Sequence, residues 1–225
     1  MPDVAWRFLK TAGGVLLRRN VDLHVEGADL VPRKGPAIIA ARHFHHLYDG
    51  CAILATIPRP VHILVGLDWV RNPAGRIVME RACKAAAWPM IYRQDGPSPR
   101  DDREATRALR HAMGDSLDLF RAGHILLVFP EGYPNIDPGY TPKADEDAFL
   151  PFQPGVVRLA TLAAANGIHV PIVPAGFAYE RSDRWRATLR FGEPLTIENR
   201  AQAPAALYDL ERRVIALSHP ASGSA

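Results

Sequence analysis

Short apolar segments alternate with amphipathic helical patterns along this chain, and this alternation constrains the fold most strongly. Three segments read as buried strands, Ala37–Ala41, Ile125–Val128 and Val170–Val173. Apolar strands of this kind are typical of sheets that are covered on both faces. Helical patterns at residues 72–86 and 101–122 provide crossovers of the kind that parallel strands require. The sequence therefore predicts an α/β fold with a mostly parallel central sheet flanked by helices.

The N-terminal residues 2–19 carry apolar side chains at helical spacing, among them Trp6 and Phe8. Most charged side chains in this stretch are basic, and these are Arg7, Lys10, Arg18 and Arg19. One interpretation is an amphipathic helix that lies on a bilayer surface. The other is a helix that packs on the domain and keeps its basic face in water. Because Gly13-Gly14 weakens a free helix, both interpretations stay open at this point.

Composition and charge narrow the function classes. Of the 225 residues, 48% are hydrophobic and 23% are charged, as in an ordinary globular protein. A net charge of +3 is too mild to indicate nucleic-acid binding, although it suits contact with anionic lipid or anionic substrates. No internal repeat or linker divides the chain. We therefore expect an N-terminal helix at residues 1–19, one domain at residues 20–217 and a disordered tail at residues 218–225.

Location is inferred from two missing patterns. The sequence has no run of about 18 uncharged apolar residues, so we predict no transmembrane helix. It also shows no clean apolar stretch before a small-residue cleavage site, which a secretory signal would have. We expect a cytoplasmic protein that is peripheral on the cytoplasmic face of the membrane.

Three histidines and an aspartate, His43, His45, His46 and Asp49, stand together where a predicted strand meets a predicted helix. An imidazole beside a carboxylate is the unit of general-base catalysis, because the carboxylate fixes the tautomer and stabilises the imidazolium. The alternatives are that the rings bind zinc or cap the helix, but no Cys or His pair elsewhere has ligand spacing. His45 would share a helical face with Asp49, whereas His43 would have to lie in the preceding turn.

Two further charged residues follow predicted strands. Glu131 stands with Gly132 on a turn directly after the Ile125–Val128 strand, a place where side chains often line clefts. Arg93 follows a short strand and precedes a loop that contains Gly and Pro. Its guanidinium suits a phosphate or carboxylate ligand. The alternatives are a solvated turn carboxylate for Glu131 and an ordinary surface position for Arg93.

Several segments occur in an order that matches a known family. They are Arg42-His43 with Asp49, Ile91-Tyr92-Arg93, Val128-Phe129-Pro130-Glu131-Gly132, Phe152-Gln153-Pro154-Gly155, Val170-Pro171-Ile172-Val173-Pro174-Ala175-Gly176 and Arg190-Phe191-Gly192-Glu193-Pro194-Leu195. Together they resemble the glycerolipid acyltransferase superfamily, typified by bacterial 1-acylglycerol-3-phosphate acyltransferases. The resemblance covers residues 20–217 and depends on the order and spacing of all the segments. It implies an acyltransferase-like fold.

This sequence departs from the family pattern at two places. The family separates its His and Asp by five positions, but here the residue five before Asp49 is Phe44. Alignment from the preceding strand, which matches without a gap, selects His43 as the family histidine and leaves one extra residue before Asp49. Alignment from Asp49 with one deletion selects His45 instead. The family also has Thr-Arg-Ser where this chain has Tyr133-Pro134-Asn135. The resemblance implies that the family arginine helps to hold the acceptor phosphate, so its absence here bears on which acceptor is used.

The resemblance implies transfer of a fatty acyl group from acyl-CoA or acyl carrier protein to a hydroxyl of a lysophospholipid or glycerol-phosphate-like acceptor. His43 would be the base, with His45 as the alternative, and Asp49 would orient the ring. Arg93, Glu131, Gly132, Tyr133 and Asn135 would bind the acceptor. We expect no metal and no cofactor, and the expected partners are the two substrates and a membrane surface. A thioesterase or lysophospholipase, or a non-catalytic lipid-binding homologue, is the alternative.

Overall fold

A computed structural model describes residues 2–70, 72–93 and 101–219. Its α-helices are α1 Pro2–Asn20, α2 Tyr48–Thr56, α3 Pro73–Ala86, α4 Asp102–Arg121, α5 Gly155–Ala165 and α6 Ala203–Ser218. Its strands are β1 Val21–Glu26, β2 Ala37–Ala41, β3 Val61–Ile63, β4 Val65–Gly66, β5 Met90–Ile91, β6 Ile125–Val128, β7 Ile172–Glu180 and β8 Trp185–Phe191. The predicted tail at residues 218–225 lies outside the described residues from position 220 onward.

Six strands form the central sheet in the order β1-β8-β7-β2-β6-β3, and β4 pairs with β5 in a separate two-stranded sheet. Within the central sheet, β7 and β8 form an antiparallel hairpin, while every other neighbouring pair is parallel. The helices flank this sheet. The prediction of a mostly parallel α/β sheet is therefore confirmed.

The central strands are buried on both faces, and their side chains alternate between two cores. Ile39 of β2 and Leu127 of β6 face the core that contains α2 and part of α1. Their neighbours Ile38 and Leu126 face the opposite core, beneath α4, α5 and α6. Full burial of an isoleucine or leucine side chain contributes about 1.5–3 kcal/mol. The two-sided burial explains why these strands are apolar at every position.

Helix α1 packs against α2 along one face and leaves another face in solvent. Leu17 is buried, and Trp6 packs partly against the same core. Close approach of the two helices depends on Gly13, because a Cβ there would lie 3.2 Å from the Cys51 sulfur. On the outer face, Phe8 keeps 71% of its surface exposed. Helix α1 is thus packed on the domain, as one of the two interpretations predicted, and contact of its exposed side with a bilayer stays a prediction.

Helix α6 lies across β7 at the point where the strand carries a glycine. A Cβ on Gly176 would fall 2.4 Å from the backbone carbonyl carbon of Leu217, so only glycine fits beneath the helix. Within residues 2–70, 72–93 and 101–219, no helix has the length and apolar character needed to cross a bilayer.

The fold brings the candidate residues to one edge of the sheet. His43 follows the end of β2, and Glu131 follows the end of β6, which runs parallel beside β2. Strand β7, on the other side of β2, extends to Glu180 rather than ending at Val173 as predicted. The strand continues through Pro174, whose carbonyl accepts a hydrogen bond from the Gly192 amide. This longer strand carries Tyr179 to the same edge.

Candidate active site

His43 and Asp49 form a contacting pair at the C-terminal end of β2. The imidazole Nδ1 lies 3.1 Å from Asp49 Oδ2, and the His43 ring stacks on Phe129 with centroids 4.1 Å apart. Asp49 is wholly buried, whereas the His43 side chain keeps 15% of its surface exposed. Because a carboxylate only accepts hydrogen bonds, this contact selects the tautomer with the proton on Nδ1. The Nε2 lone pair is then available as a base.

Four donors surround the buried carboxylate of Asp49. Besides His43, Oδ2 accepts from the backbone amides of Phe44 at 2.6 Å and His45 at 2.9 Å. The other oxygen, Oδ1, accepts from the Tyr179 hydroxyl at 2.8 Å. Burial and the neighbouring carboxylate hold the pKa of Tyr179 well above its ordinary value, so the hydroxyl remains a donor. These bonds replace the water that the carboxylate loses on burial.

The chain absorbs the extra residue between His43 and Asp49 in a turn before α2. The Ile136 amide donates to the Phe44 carbonyl at 2.7 Å, and the His46 amide donates to the Ile136 carbonyl at 3.1 Å. The turn is therefore paired with the segment that follows Glu131. In this turn the successive backbone amides of Phe44 and His45 both donate to the Asp49 carboxylate. The His43 ring still contacts the same carboxylate.

His45 holds the backbone at the start of α2 rather than contacting Asp49 through its ring. Its Nδ1 accepts from the amides of Leu47 at 3.3 Å and Tyr48 at 3.4 Å, and its ring stacks on the Tyr48 ring. Burial, with smaller contributions from His46 and His43, lowers the pKa of His45 to about 4. It is consequently neutral near pH 7. Among the described residues, no group of three or more His, Cys, Asp or Glu side chains is arranged to hold a metal ion.

Glu131 forms a buried ion pair next to the His43–Asp49 pair, which we call the dyad. One of its oxygens, Oε1, accepts from the His43 amide at 3.0 Å. The other, Oε2, lies 2.6 Å from Lys143 Nζ and accepts from the Leu150 amide at 3.1 Å. The side chains of Glu131 and Lys143 are both fully buried. The solvated turn carboxylate considered for Glu131 is therefore not what the structure shows, while its role toward an acceptor stays a prediction.

Arg93 is held by a buried aspartate, Asp68. Its Nε lies 2.9 Å from Asp68 Oδ1 and its Nη2 lies 2.8 Å from Asp68 Oδ2, a two-pronged contact that fixes the plane of the guanidinium. That plane lies over the Tyr133 ring, with the guanidinium carbon 3.9 Å from the centroid. A Cβ on Gly132, which has a φ of 79°, would contact Arg93 Nη1 at 3.5 Å. The predicted residues Arg93, Gly132 and Tyr133 thus lie together.

Asn135 faces inward to its own loop. Its amide nitrogen donates to the carbonyls of Asp145 at 2.9 Å and Ala148 at 2.8 Å, and its amide oxygen accepts from Lys143 at 2.9 Å. These bonds hold distant parts of the loop at residues 133–151 to one another. A direct contact between Asn135 and an acceptor would have to displace them, so this role stays a prediction.

Arg42 anchors the same loop from the end of β2. Its guanidinium donates to the carbonyls of Phe177 at 3.2 Å and Glu146 at 2.9 Å, and it lies 4.2 Å from the Phe149 ring centroid. Burial lowers the pKa of Arg42 from its ordinary value, although nearby carboxylates act in the opposite direction. The largely buried ionic groups of the described site are three cations and three anions, Arg42, Arg93, Lys143, Asp49, Asp68 and Glu131.

Comparison with known proteins gives the family. The model of a family described as Acyltransferase matches residues 22–178, which is more than half of the chain. The chain belongs to the acyltransferase family. Its fold is similar to that of the 1-acyl-sn-glycerophosphate (LPA) acyltransferase PlsC from Thermotoga maritima, with a TM-score of 0.63 and 19% sequence identity. This match covers 96% of the present chain and 77% of that chain. A comparison with curated proteins finds no match.

Three residues of this acyltransferase-family site were not singled out from sequence. Asp68 follows a short strand, but its ion pair joins residues 25 positions apart. Lys143 lies in an irregular loop, and Tyr179 lies on a strand extension 130 positions from Asp49. Local spacing carries no signal for such contacts. The one usable clue was that Asp49 and Glu131, if buried, each required donors from elsewhere in the chain.

Proposed function

We propose that this acyltransferase-family protein moves a fatty acyl group from a thioester donor to a hydroxyl of a lysophospholipid or glycerol-phosphate-like acceptor. The observation that carries the proposal is the His43–Asp49 contact, with Nδ1 turned to the buried carboxylate and the ring partly exposed. Acyl-CoA or acyl carrier protein supplies the thioester, and no further cofactor takes part.

His43 acts as the general base. Its Nε2 takes the proton of the acceptor hydroxyl while the hydroxyl oxygen attacks the thioester carbonyl carbon. Collapse of the tetrahedral intermediate breaks the carbon–sulfur bond, and the imidazolium returns the proton to the departing thiolate. Asp49 stabilises the imidazolium that exists between these two proton transfers. No acyl-enzyme intermediate is required.

Arg93 with Tyr133 and Gly132 forms the acceptor side of the proposed site. Asp68 already engages two of the guanidinium nitrogens, and the described buried cations and anions balance in number. Such a site supplies little surplus positive charge for a phosphate dianion. We therefore propose that an acceptor with a neutral or zwitterionic head group is used in preference to lysophosphatidic acid.

Helix α1 provides the proposed contact with the bilayer on its cytoplasmic face. Val4 and Phe8 keep 72% and 71% of their surfaces exposed, and basic residues lie on the same helix. We expect a Val4→Asp, Phe8→Asp variant to lose cosedimentation with vesicles of phosphatidylglycerol and phosphatidylcholine. Tyr208→Asp on α6, where the side chain is 66% exposed, is the matched control and should bind as the parent does. Equal binding of all three proteins would reject this contact.

Thiol release from palmitoyl-CoA or palmitoyl carrier protein tests the reaction. The purified protein is supplied with a panel of lysophospholipids and simple glycerols, and the acylated product is identified by mass spectrometry. Acceptor-dependent release that Asp49→Ala abolishes supports acyl transfer and identifies the head group. Release of free fatty acid without an acceptor would indicate a hydrolase instead. No release with either donor would indicate a non-catalytic lipid-binding homologue.

A further inference from the structure

A buried lysine from the loop at residues 133–151 reaches the main chain of the catalytic histidine. Lys143 Nζ lies 2.9 Å from the His43 carbonyl oxygen, 2.9 Å from Asn135 Oδ1 and 2.6 Å from Glu131 Oε2. An ammonium group has three protons, and each has a partner here. The Lys143 side chain has no exposed surface. Lysine is almost never buried this completely unless it is paired, so its place requires an explanation.

The ion pair holds the His43 residue from both sides. Glu131 Oε1 accepts from the His43 backbone amide at 3.0 Å. The His43 carbonyl accepts from Lys143 Nζ and from the backbone amide of Asn135. The two polar backbone groups of His43 are therefore fixed by residues that are themselves bound to each other. Because the imidazole extends from this backbone, its approach to Asp49 depends on where the backbone is held.

The same contacts connect His43 to the fold of the loop. Asn135 also donates to the carbonyls of Asp145 and Ala148, and the Leu150 amide donates to Glu131 Oε2. Residues 133–151 contain no helix or strand, so the loop depends on these bonds for its shape. Lys143 is the residue that contacts the Asn135 side chain, the Glu131 carboxylate and the His43 carbonyl together.

We propose that Lys143 is a positioning residue for acyl transfer, which holds the His43 main chain so that the imidazole meets Asp49 with its Nδ1 proton. It touches neither substrate nor the reacting atoms. The rate part of this proposal rests on the function proposed above. A loop lysine with a purely structural role would stabilise the protein without changing the state of the His43 ring in folded molecules.

Lys143→Met removes the ammonium group and keeps the length of the side chain. We expect kcat to fall about ten- to a hundredfold, because small misplacement of a catalytic group costs up to about a hundredfold in rate. KM for both substrates should change much less. The matched control is Lys34→Met, which removes an exposed lysine in the loop before β2 and should leave kcat unchanged. Since Lys143→Met leaves the buried Glu131 carboxylate without its cation, the second variant is Glu131→Gln with Lys143→Met, which removes both charges of this ion pair.

A double-mutant cycle distinguishes a loss of rate that acts through His43 from a general disturbance of the active site. In the His43→Ala background, Lys143→Met should cause no further loss of rate, because the group that it positions is already absent. An equal fold-change in both backgrounds would overturn the proposal. Retention of kcat within twofold by folded Lys143→Met, verified by near-ultraviolet circular dichroism, would overturn it as well.

Nitrogen NMR of protein with ¹⁵N-labelled histidine gives a readout that does not need activity. At about pH 8, where an ordinary histidine is neutral, the parent should show His43 in the Nδ1–H tautomer, assigned by its loss in His43→Ala. We expect mixed tautomers in Lys143→Met and in Glu131→Gln with Lys143→Met, but not in Lys34→Met. An unchanged tautomer in the folded variants would reject positioning. If the parent transfers no acyl group, the proposed function fails while this measurement still decides the role of Lys143.

Discussion

Asp49→Asn tests the electrostatic part of the proposed mechanism with little change of shape. If the asparagine oxygen replaces Oδ2, it still accepts from His43 Nδ1 and from the amides of Phe44 and His45. The amide nitrogen then faces the Tyr179 hydroxyl, which is able to accept as well as donate. The dyad geometry is therefore retained, and the negative charge is lost.

The magnitude follows from the distance between the two groups. An imidazolium and a carboxylate 3.1 Å apart attract each other by about 5 kcal/mol at an effective dielectric constant of about 20. The hydrogen bond that remains with asparagine recovers about 1 kcal/mol, and proton transfer is incomplete in the transition state. We therefore expect the barrier to rise by about 3–4 kcal/mol. This corresponds to a loss of about two to three orders of magnitude in kcat.

The assay is thiol release with saturating acceptor, together with thermal unfolding to show that the variant is folded. Asp115→Asn is the matched control, because it removes an exposed aspartate on α4 and should leave kcat unchanged. A folded Asp49→Asn protein with kcat within fivefold of the parent would refute the argument, since the buried charge would then contribute little to the transition state.

Three further predictions concern the surroundings of the dyad. His45→Asn keeps an acceptor for the amides of Leu47 and Tyr48, so kcat should stay within about tenfold of the parent. Because the pKa of His45 is lowered from 6.5 to about 4, the unfolded chain binds more protons between these values, and folding stability is lost as the pH falls through them. Urea titrations should show about 2–3 kcal/mol of this loss disappearing in His45→Asn. Tyr179→Phe removes one donor to Asp49 and should lower the free energy of unfolding by about 1.5–3 kcal/mol, with a smaller loss of kcat than Asp49→Asn causes. Gly176→Ala forces α6 away from β7, and differential scanning calorimetry should show at least about 1–3 kcal/mol of destabilisation.

The sequence predicts the strands of the sheet because the pattern that identifies each strand lies within a few consecutive residues. Ala37–Ala41 and Ile125–Val128 form strands with the predicted bounds, since an apolar run of this length is buried on both faces only within a covered sheet. Strand β7 exceeds its prediction because Pro174 and Gly176 normally interrupt strands. Here the Pro174 carbonyl accepts a hydrogen bond from the Gly192 amide, and Gly176 allows close approach of Leu217 on α6. A local sequence pattern reveals neither contact.

The candidate site is only partly predictable for the same reason. The strand-side alignment favours His43, and the structure does place the His43 ring against Asp49. Helical spacing favours His45 instead, but α2 begins at Tyr48, so His45 lies before the helix and that spacing does not apply. The partners Lys143 and Tyr179 are joined to the dyad by contacts across roughly a hundred residues or more.

The kcat of acyl transfer by the His43→Ala variant tests most directly the central claim that His43 is the general base. The protein is assayed with palmitoyl-CoA and the acceptor that supports the fastest release, beside the parent and His45→Asn. If His43 is the general base, its loss lowers kcat by about two to four orders of magnitude while His45→Asn stays close to the parent. Turnover of folded His43→Ala within tenfold of the parent would contradict the account, and a selective loss in His45→Asn would assign the base to the other histidine.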